Sequence, residues 1–97
     1  MPFAILAIDR TDAGSLRADN RPAHLAYLDG HAAKLLAGGA VLADDAATPV
    51  GSLIVFDSDD RTEVEAFVAG DPFSEAGLFS SVSIYPWRKV FYAGARA

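Results

Sequence analysis

An aspartate followed by proline and an aromatic residue, Asp71-Pro72-Phe73, stands where a helical pattern ends, and the chain has only two histidines that could partner it. Proline lacks a backbone donor and disfavours helical geometry in the residue before it, so Asp71 is expected at a helix exit with its carboxylate held in a fixed direction. His24 lies within Arg21-Pro22-Ala23-His24-Leu25-Ala26-Tyr27-Leu28, on a helix whose inward face follows from spacing. At about 100° per residue, His24, Leu28 and Leu35 share one stripe with Leu25 and Ala32 beside it, so the imidazole is expected to face the sheet. A carboxylate that accepts from one ring nitrogen fixes the tautomer and raises the basicity of the other, which makes a general acid/base near neutral pH. The plainer readings are that Asp-Pro opens a turn and that an inward histidine is a hydrogen-bonded core residue.

Extended back through Pro22, the same helix carries Arg21 and Arg17 on the stripe of His24, one and two turns earlier. Two guanidinium groups there make a cationic entrance suited to a small carboxylate or phenolate, with a solvated helix start as the alternative. Phe73, Tyr85 and Trp87 are candidate walls for a flat substrate. Metal is not expected. Two helical turns separate His24 from His31 by roughly 10 Å, too far to share an ion, and there is no cysteine to complete a set. Gly38-Gly39 follows a helix instead of joining a strand to one, so it reads as a helix cap and not as a phosphate cradle.

These residues sit in a chain of 97, expected to form one domain, residues 1–97. Its net charge of −5 repels phosphate backbones, and Arg88, Lys89 and Arg96 form no extended patch, so nucleic-acid binding is disfavoured. Met1 to Ile8 has neither a basic leader nor a span long enough for a membrane, and cysteine is absent, so a soluble cytoplasmic protein is expected.

Phe3–Ile8 reads as a strand. A helix is expected from about Ser15 to Ala37, closed at Gly38-Gly39, with Pro22 either in the first turn of a helix starting near Asn20 or kinking a longer one. Ala40–Ala43 and Ser52–Phe56 read as a hairpin with a loose tip at Asp44–Gly51. Asp60 caps a second helix to about Ala69, in which Val64, Phe67 and Val68 recur at helical spacing. Ser81–Tyr85 alternates as a half-buried strand stopped by Pro86. The order βαββαβ predicts an α+β, ferredoxin-like fold with an antiparallel sheet and both helices on one face. The first and third strands are apolar on both sides, so a second copy is expected to cover the other face as a homodimer. Parallel helices would leave His24 and Asp71 at opposite ends, so their meeting requires a rerouted Asp71–Phe79 segment or the partner chain.

Arg17, Arg21 to Leu28, Gly38-Gly39, Gly51-Ser52, Asp71-Pro72-Phe73, Ala76-Gly77-Leu78-Phe79 and Pro86 to Phe91 together resemble the YciI-like (YCII) family over nearly the whole chain. Ala40 departs from the Gly-Pro usual after the first helix. The resemblance implies a dimeric α+β barrel related to muconolactone isomerases, with a His/Asp site that falls on His24 and Asp71. It also implies that a relative dechlorinates a chlorinated hydroxyquinol. The expected function is cofactor-free acid/base chemistry on a small anionic or phenolic cyclic ligand, with Arg17, Arg21, Phe73 and Tyr85 around it. The competing classes are a non-catalytic small-ligand-binding protein and a dimerising accessory domain.

Overall fold

The computed structural model describes residues 1–97. Its elements run β1 (Phe3–Asp9), α1 (Leu16–Asp29), a 3-10 turn (Ala32–Lys34), β2 (Leu35–Leu42), β3 (Pro49–Phe56), α2 (Arg61–Gly70), α3 (Pro72–Glu75) and β4 (Phe79–Pro86). A small hairpin of β5 (Phe91–Tyr92) and β6 (Ala95–Arg96) follows. The main sheet has four antiparallel strands in the order β2-β3-β1-β4, the ferredoxin-like arrangement. No helix is long and apolar enough to cross a membrane.

Strand alternation sorts the two faces. Phe3, Ile5, Ile54 and Phe56 point to the helices and join Val64 and Phe67 of α2 in one core, with Tyr27, Leu28, Leu35 and Ile84 packed around it. Asp60 caps α2 by accepting from the Thr62 amide. The opposite face is open: the cross-strand pair Leu6 and Leu53 is exposed there, and so is Tyr85, which stands beside Ala4.

Three expectations need correction. The first helix ends at Asp29, not near Ala37: the Gly30 amide closes it onto Ala26, and Leu35–Leu42 runs as a strand against β3. Leucine and alanine favour helix locally, but pairing with β3 and burial of Leu35 against the core outweigh that preference. Gly38-Gly39 is therefore part of a strand and not a helix cap. The helices are also antiparallel. Phe3 pairs with Phe56 at one end of the sheet and Asp9 with Phe79 at the other, so α1 leaves from the end at which α2 arrives. The rerouting expected for Asp71 is unnecessary. Finally, the β2–β3 connection is shorter and tighter than a loose tip, because Asp45 accepts from the Ala47 and Thr48 amides and from the Thr48 hydroxyl.

Those bonds, led by the Thr48 hydroxyl, hold the Asp45 carboxyl down at about 2. A lowered folded-state pKa means that the turn's stabilisation is present above the ordinary carboxylate range and is lost as pH falls through the folded value, here between about 4 and 2. In a carboxyl-carbon NMR titration Asp45 is expected to titrate at the low end of that window, and Thr48→Val should move it upward. A titration unchanged by Thr48→Val would contradict the hydroxyl's role.

Candidate functional site

Asp71 occupies a junction. It follows the last residue of α2 in extended conformation and caps α3, with Pro72 in the first turn and the carboxylate accepting from the Phe73 amide at 2.9 Å. The same oxygen, Oδ1, lies 2.8 Å from Nδ1 of His24 within one chain. His24 is the buried residue of α1, 7% exposed, and Asp71 is 4% exposed. A carboxylate oxygen that already accepts from an amide can only accept again, so Nδ1 of the neutral imidazole carries the proton and Nε2 keeps its lone pair. The ring is held by its face as well, stacked on Phe73 at 3.9 Å between centroids and 13° between planes. Asp71 and Phe73 thus fix one imidazole by edge and by face.

His24 borders a cavity of about 260 Å³ between α1 and the β2–β3 pair, shared with Arg17, Arg21, Leu25, Ser52 and the Gly38–Ala40 segment. Gly38 stands opposite Ile54 and Ala40 opposite Ser52, on the side facing the helices, so the small residues of β2 keep this space open. Gly51 has a different duty: a Cβ there would come within 2.5 Å of the Ala7 carbonyl oxygen, so only glycine allows β1 and β3 to approach beside Ser52.

The two arginines divide their work. Arg17 forks onto Asp9 at 2.7 and 2.8 Å, reaches the Ser52 hydroxyl at 3.1 Å and lies 4.8 Å over the Phe73 ring. It joins the start of α1 to β1 and β3, and most of its donors are used. Arg21, one turn further on, lines the cavity and is exposed, with no carboxylate in salt-bridge reach.

Of the expected walls, Phe73 lies behind the histidine instead of lining the cavity, because α3 turns it into the core at 0% exposure. Tyr85 must be corrected as a wall of this cavity: its register with Ala4 puts it on the open face, on the far side of the sheet from His24. Trp87 lies past the end of β4 with its backbone amide on the Pro2 carbonyl, outside the cavity lining. His31 falls beyond α1, its Nδ1 on the Tyr27 carbonyl. The fork between Asp9 and Arg17 went unread. Its signal is a charge at the exit of an apolar strand, with an arginine in the first turn of the next element.

An antiparallel α+β domain with a buried histidine–carboxylate pair beside a small open cavity defines the class, and comparison with known proteins narrows it. Residues 1–88 match the YCII-related domain. Protein YciI of Escherichia coli O6:H1 and Protein YciI of Shigella flexneri are each 33% identical over 98 residues, covering 94% of this chain and 100% of the relative. The chain belongs to the YCII-related family. A solved structure of 5-chloro-2-hydroxyhydroquinone dehydrochlorinase, TftG, from Burkholderia phenoliruptrix, in complex with 2,5-dihydroxybenzoquinone, is similar with a TM-score of 0.83 and 38% identity. The match covers 91% of this chain and 94% of that one, and extends the likeness to the dimeric α+β barrel fold.

Removing the Asp71 carboxylate deletes a helix cap, worth about 1 kcal/mol, and strands a buried imidazole donor, worth about 1–3 kcal/mol. Asp71→Ala is therefore expected to lose about 2–4 kcal/mol in urea unfolding, and Asp71→Asn, whose amide oxygen still accepts, clearly less. Equal losses in the two variants would contradict the double acceptor role.

Proposed function

We propose that this protein is a small-molecule enzyme in which His24 is the acid/base and the substrate is a small anionic or phenolic ring compound. The observation that carries the reading is the buried pairing of His24 Nδ1 with Asp71, which leaves Nε2 as the basic nitrogen at the edge of a cavity that also holds Arg21. Nε2 takes a proton from a ring hydroxyl or an acidic ring carbon, and the Arg21 guanidinium offsets the negative charge that develops on the substrate oxygen. The proton is returned at a ring carbon, which gives isomerisation; where that carbon bears a leaving group, loss of a second hydroxyl proton then forms a C=O bond as the leaving group departs with its bonding pair, a net elimination of HX. The imidazolium formed in between is stabilised by Asp71 and releases its proton to the product, the leaving group or water. The likeness to a dehydrochlorinase, 38% identical over most of both chains, supports the elimination branch. Arg17 is assigned to scaffold instead of substrate because Asp9 and Ser52 engage it. A cytoplasmic setting suits a chain with no cysteine.

The test compares wild type, His24→Asn and Arg21→Ala on chlorinated polyhydroxybenzenes, small aromatic acids and lactones, for binding and then for turnover. His24→Asn is expected to lower kcat by roughly 10²–10⁴-fold with binding nearly retained, since it keeps a polar group and removes the base. Arg21→Ala should weaken anion binding by about tenfold, the low end for a charged hydrogen bond at an exposed site. Binding without turnover in wild type would favour a ligand-binding protein, and absence of both would remove the site.

We also propose a homodimer through the open sheet face, supported by the exposed Leu6, Leu53 and Tyr85 on that face. Sedimentation of the wild type should give twice the chain mass, and Leu53→Lys should shift it toward monomer. A monomeric wild type at micromolar concentration would reject the dimer.

A further inference from the structure

The Phe67 carbonyl loses its i+4 partner at the end of α2. In a continuing helix its donor would be the Asp71 amide four residues on, but that amide bonds to Val68 instead, at 3.2 Å, as the chain leaves the helix. The missing donor comes from α1: the Tyr27 hydroxyl donates to the Phe67 carbonyl at 2.8 Å. Tyr27 lies three residues after His24, on the same side of α1. Two side chains of one helix therefore grip one short piece of chain, His24 at the Asp71 carboxylate and Tyr27 at the backbone four residues before it.

Gly70, between those two points, completes the fit. A Cβ at Gly70 would lie 2.7 Å from the Tyr27 hydroxyl oxygen and 3.4 Å from the ring carbon that bears it. Gly70 is the last residue of α2, where alanine would favour helix, so the reason for glycine is the room it leaves for the phenol. The Tyr27 ring is braced by Phe67, stacked at 5.5 Å, and by His31 at 4.5 Å. Burial, then the charges of Asp71 and Glu75, raise the Tyr27 phenol above its ordinary value, so the hydroxyl keeps the proton it donates.

We infer that Tyr27 and Gly70 form a lock-and-slot pair in which Tyr27 is a positioning residue: it fixes the exit of α2 so that the Asp71 carboxylate stays on His24 Nδ1 and Nε2 stays unprotonated toward the cavity. The inference rests on the reading of His24 as the acid/base, and it deepens that reading by naming what sets the histidine's tautomer from outside the cavity.

The test uses the full chain labelled with ¹⁵N, in wild type, Tyr27→Phe, Gly70→Ala and the double variant, at a pH where His24 is neutral. Its readouts are the His24 tautomer, taken from the two ring-nitrogen resonances, and hydrogen exchange at the Phe73 amide, which Asp71 accepts. Neither needs a substrate, so the outcome is separable from whether the protein turns anything over. Tyr27→Phe is expected to raise the Nε2–H form of His24 to roughly a tenth of the population or more, and to speed Phe73 exchange by up to about tenfold, the range of one neutral hydrogen bond. Gly70→Ala should do the same, because its methyl displaces the hydroxyl. In the double variant the methyl takes the space the oxygen vacated, so the two effects are expected to be smaller than their sum. Tyr27→Phe keeps the ring and its packing, so it decides alone if Gly70→Ala does not fold. A Tyr27→Phe protein with wild-type tautomer and Phe73 exchange would overturn the inference even if its Tm were lower. So would a Gly70→Ala protein with a raised Tm and unchanged tautomer, the result expected of helix propensity alone.

Discussion

One oxygen of Asp71 accepts from the Phe73 amide and from the His24 ring, and nearly everything about the site follows from having to satisfy that buried carboxylate. A carboxylate at 4% exposure is unfavourable unless hydrogen-bonded, and each donor aimed at it costs about 1–3 kcal/mol if left unpaired. Pro72 ends the use of the chain as α2, α3 turns the Phe73 amide back to the acid, and the Phe73 ring then lies flat against the imidazole. A three-residue segment thereby holds a histidine that is distant in sequence. The consequence is chemical: a ring that can neither rotate nor change tautomer freely presents one basic nitrogen in one direction.

The Arg17–Asp9 fork does for the sheet what Asp71 does for the ring. Both side chains are largely buried, at 16% and 11% exposure, so much of their attraction is offset by lost hydration, and their contribution is position more than stability. By tying the first turn of α1 to the end of β1 and to Ser52, they set the height at which His24 meets the sheet. The small residues of β2 then leave space beneath the helix, and Arg21 supplies its exposed charge. Arg17, largely buried and held by a carboxylate, and Arg21, exposed and with none in salt-bridge reach, are one helical turn apart.

The fold order was legible because strand alternation and the Asp60 cap are local signals, and each is where periodicity and capping chemistry put it. Residue type alone poses the adjacency of His24 and Asp71, but not the route that brings them together. Antiparallel helices follow from the order β2-β3-β1-β4, which depends on pairing between distant strands. The same non-local pairing drew Leu35–Leu42 out of a helix-like composition and took Gly38-Gly39 from helix cap to strand. Tyr85 shows the limit in miniature. Alternation says that it faces away from Val82 and Ile84, and only its register with Ala4 says which face of the sheet that is. Tyr27 and Gly70 carried no signal separately, because the fit between them exists only once α1 and α2 cross.

The claim on which the functional account depends is that the bare Nε2 of His24 meets a small phenolic or anionic ring. The most direct measurement is a titration of ¹⁵N-histidine-labelled protein with 2,5-dihydroxybenzoquinone, the compound bound in the similar dehydrochlorinase structure, following both ring nitrogens of His24 and His31. The expected result is a saturable shift of the His24 Nε2 resonance, with Nδ1 remaining protonated on Asp71 and His31 unmoved. A His24 resonance that stays in place while the compound binds, or a neutral imidazole whose proton sits on Nε2 instead of Nδ1 in the free protein, would contradict it.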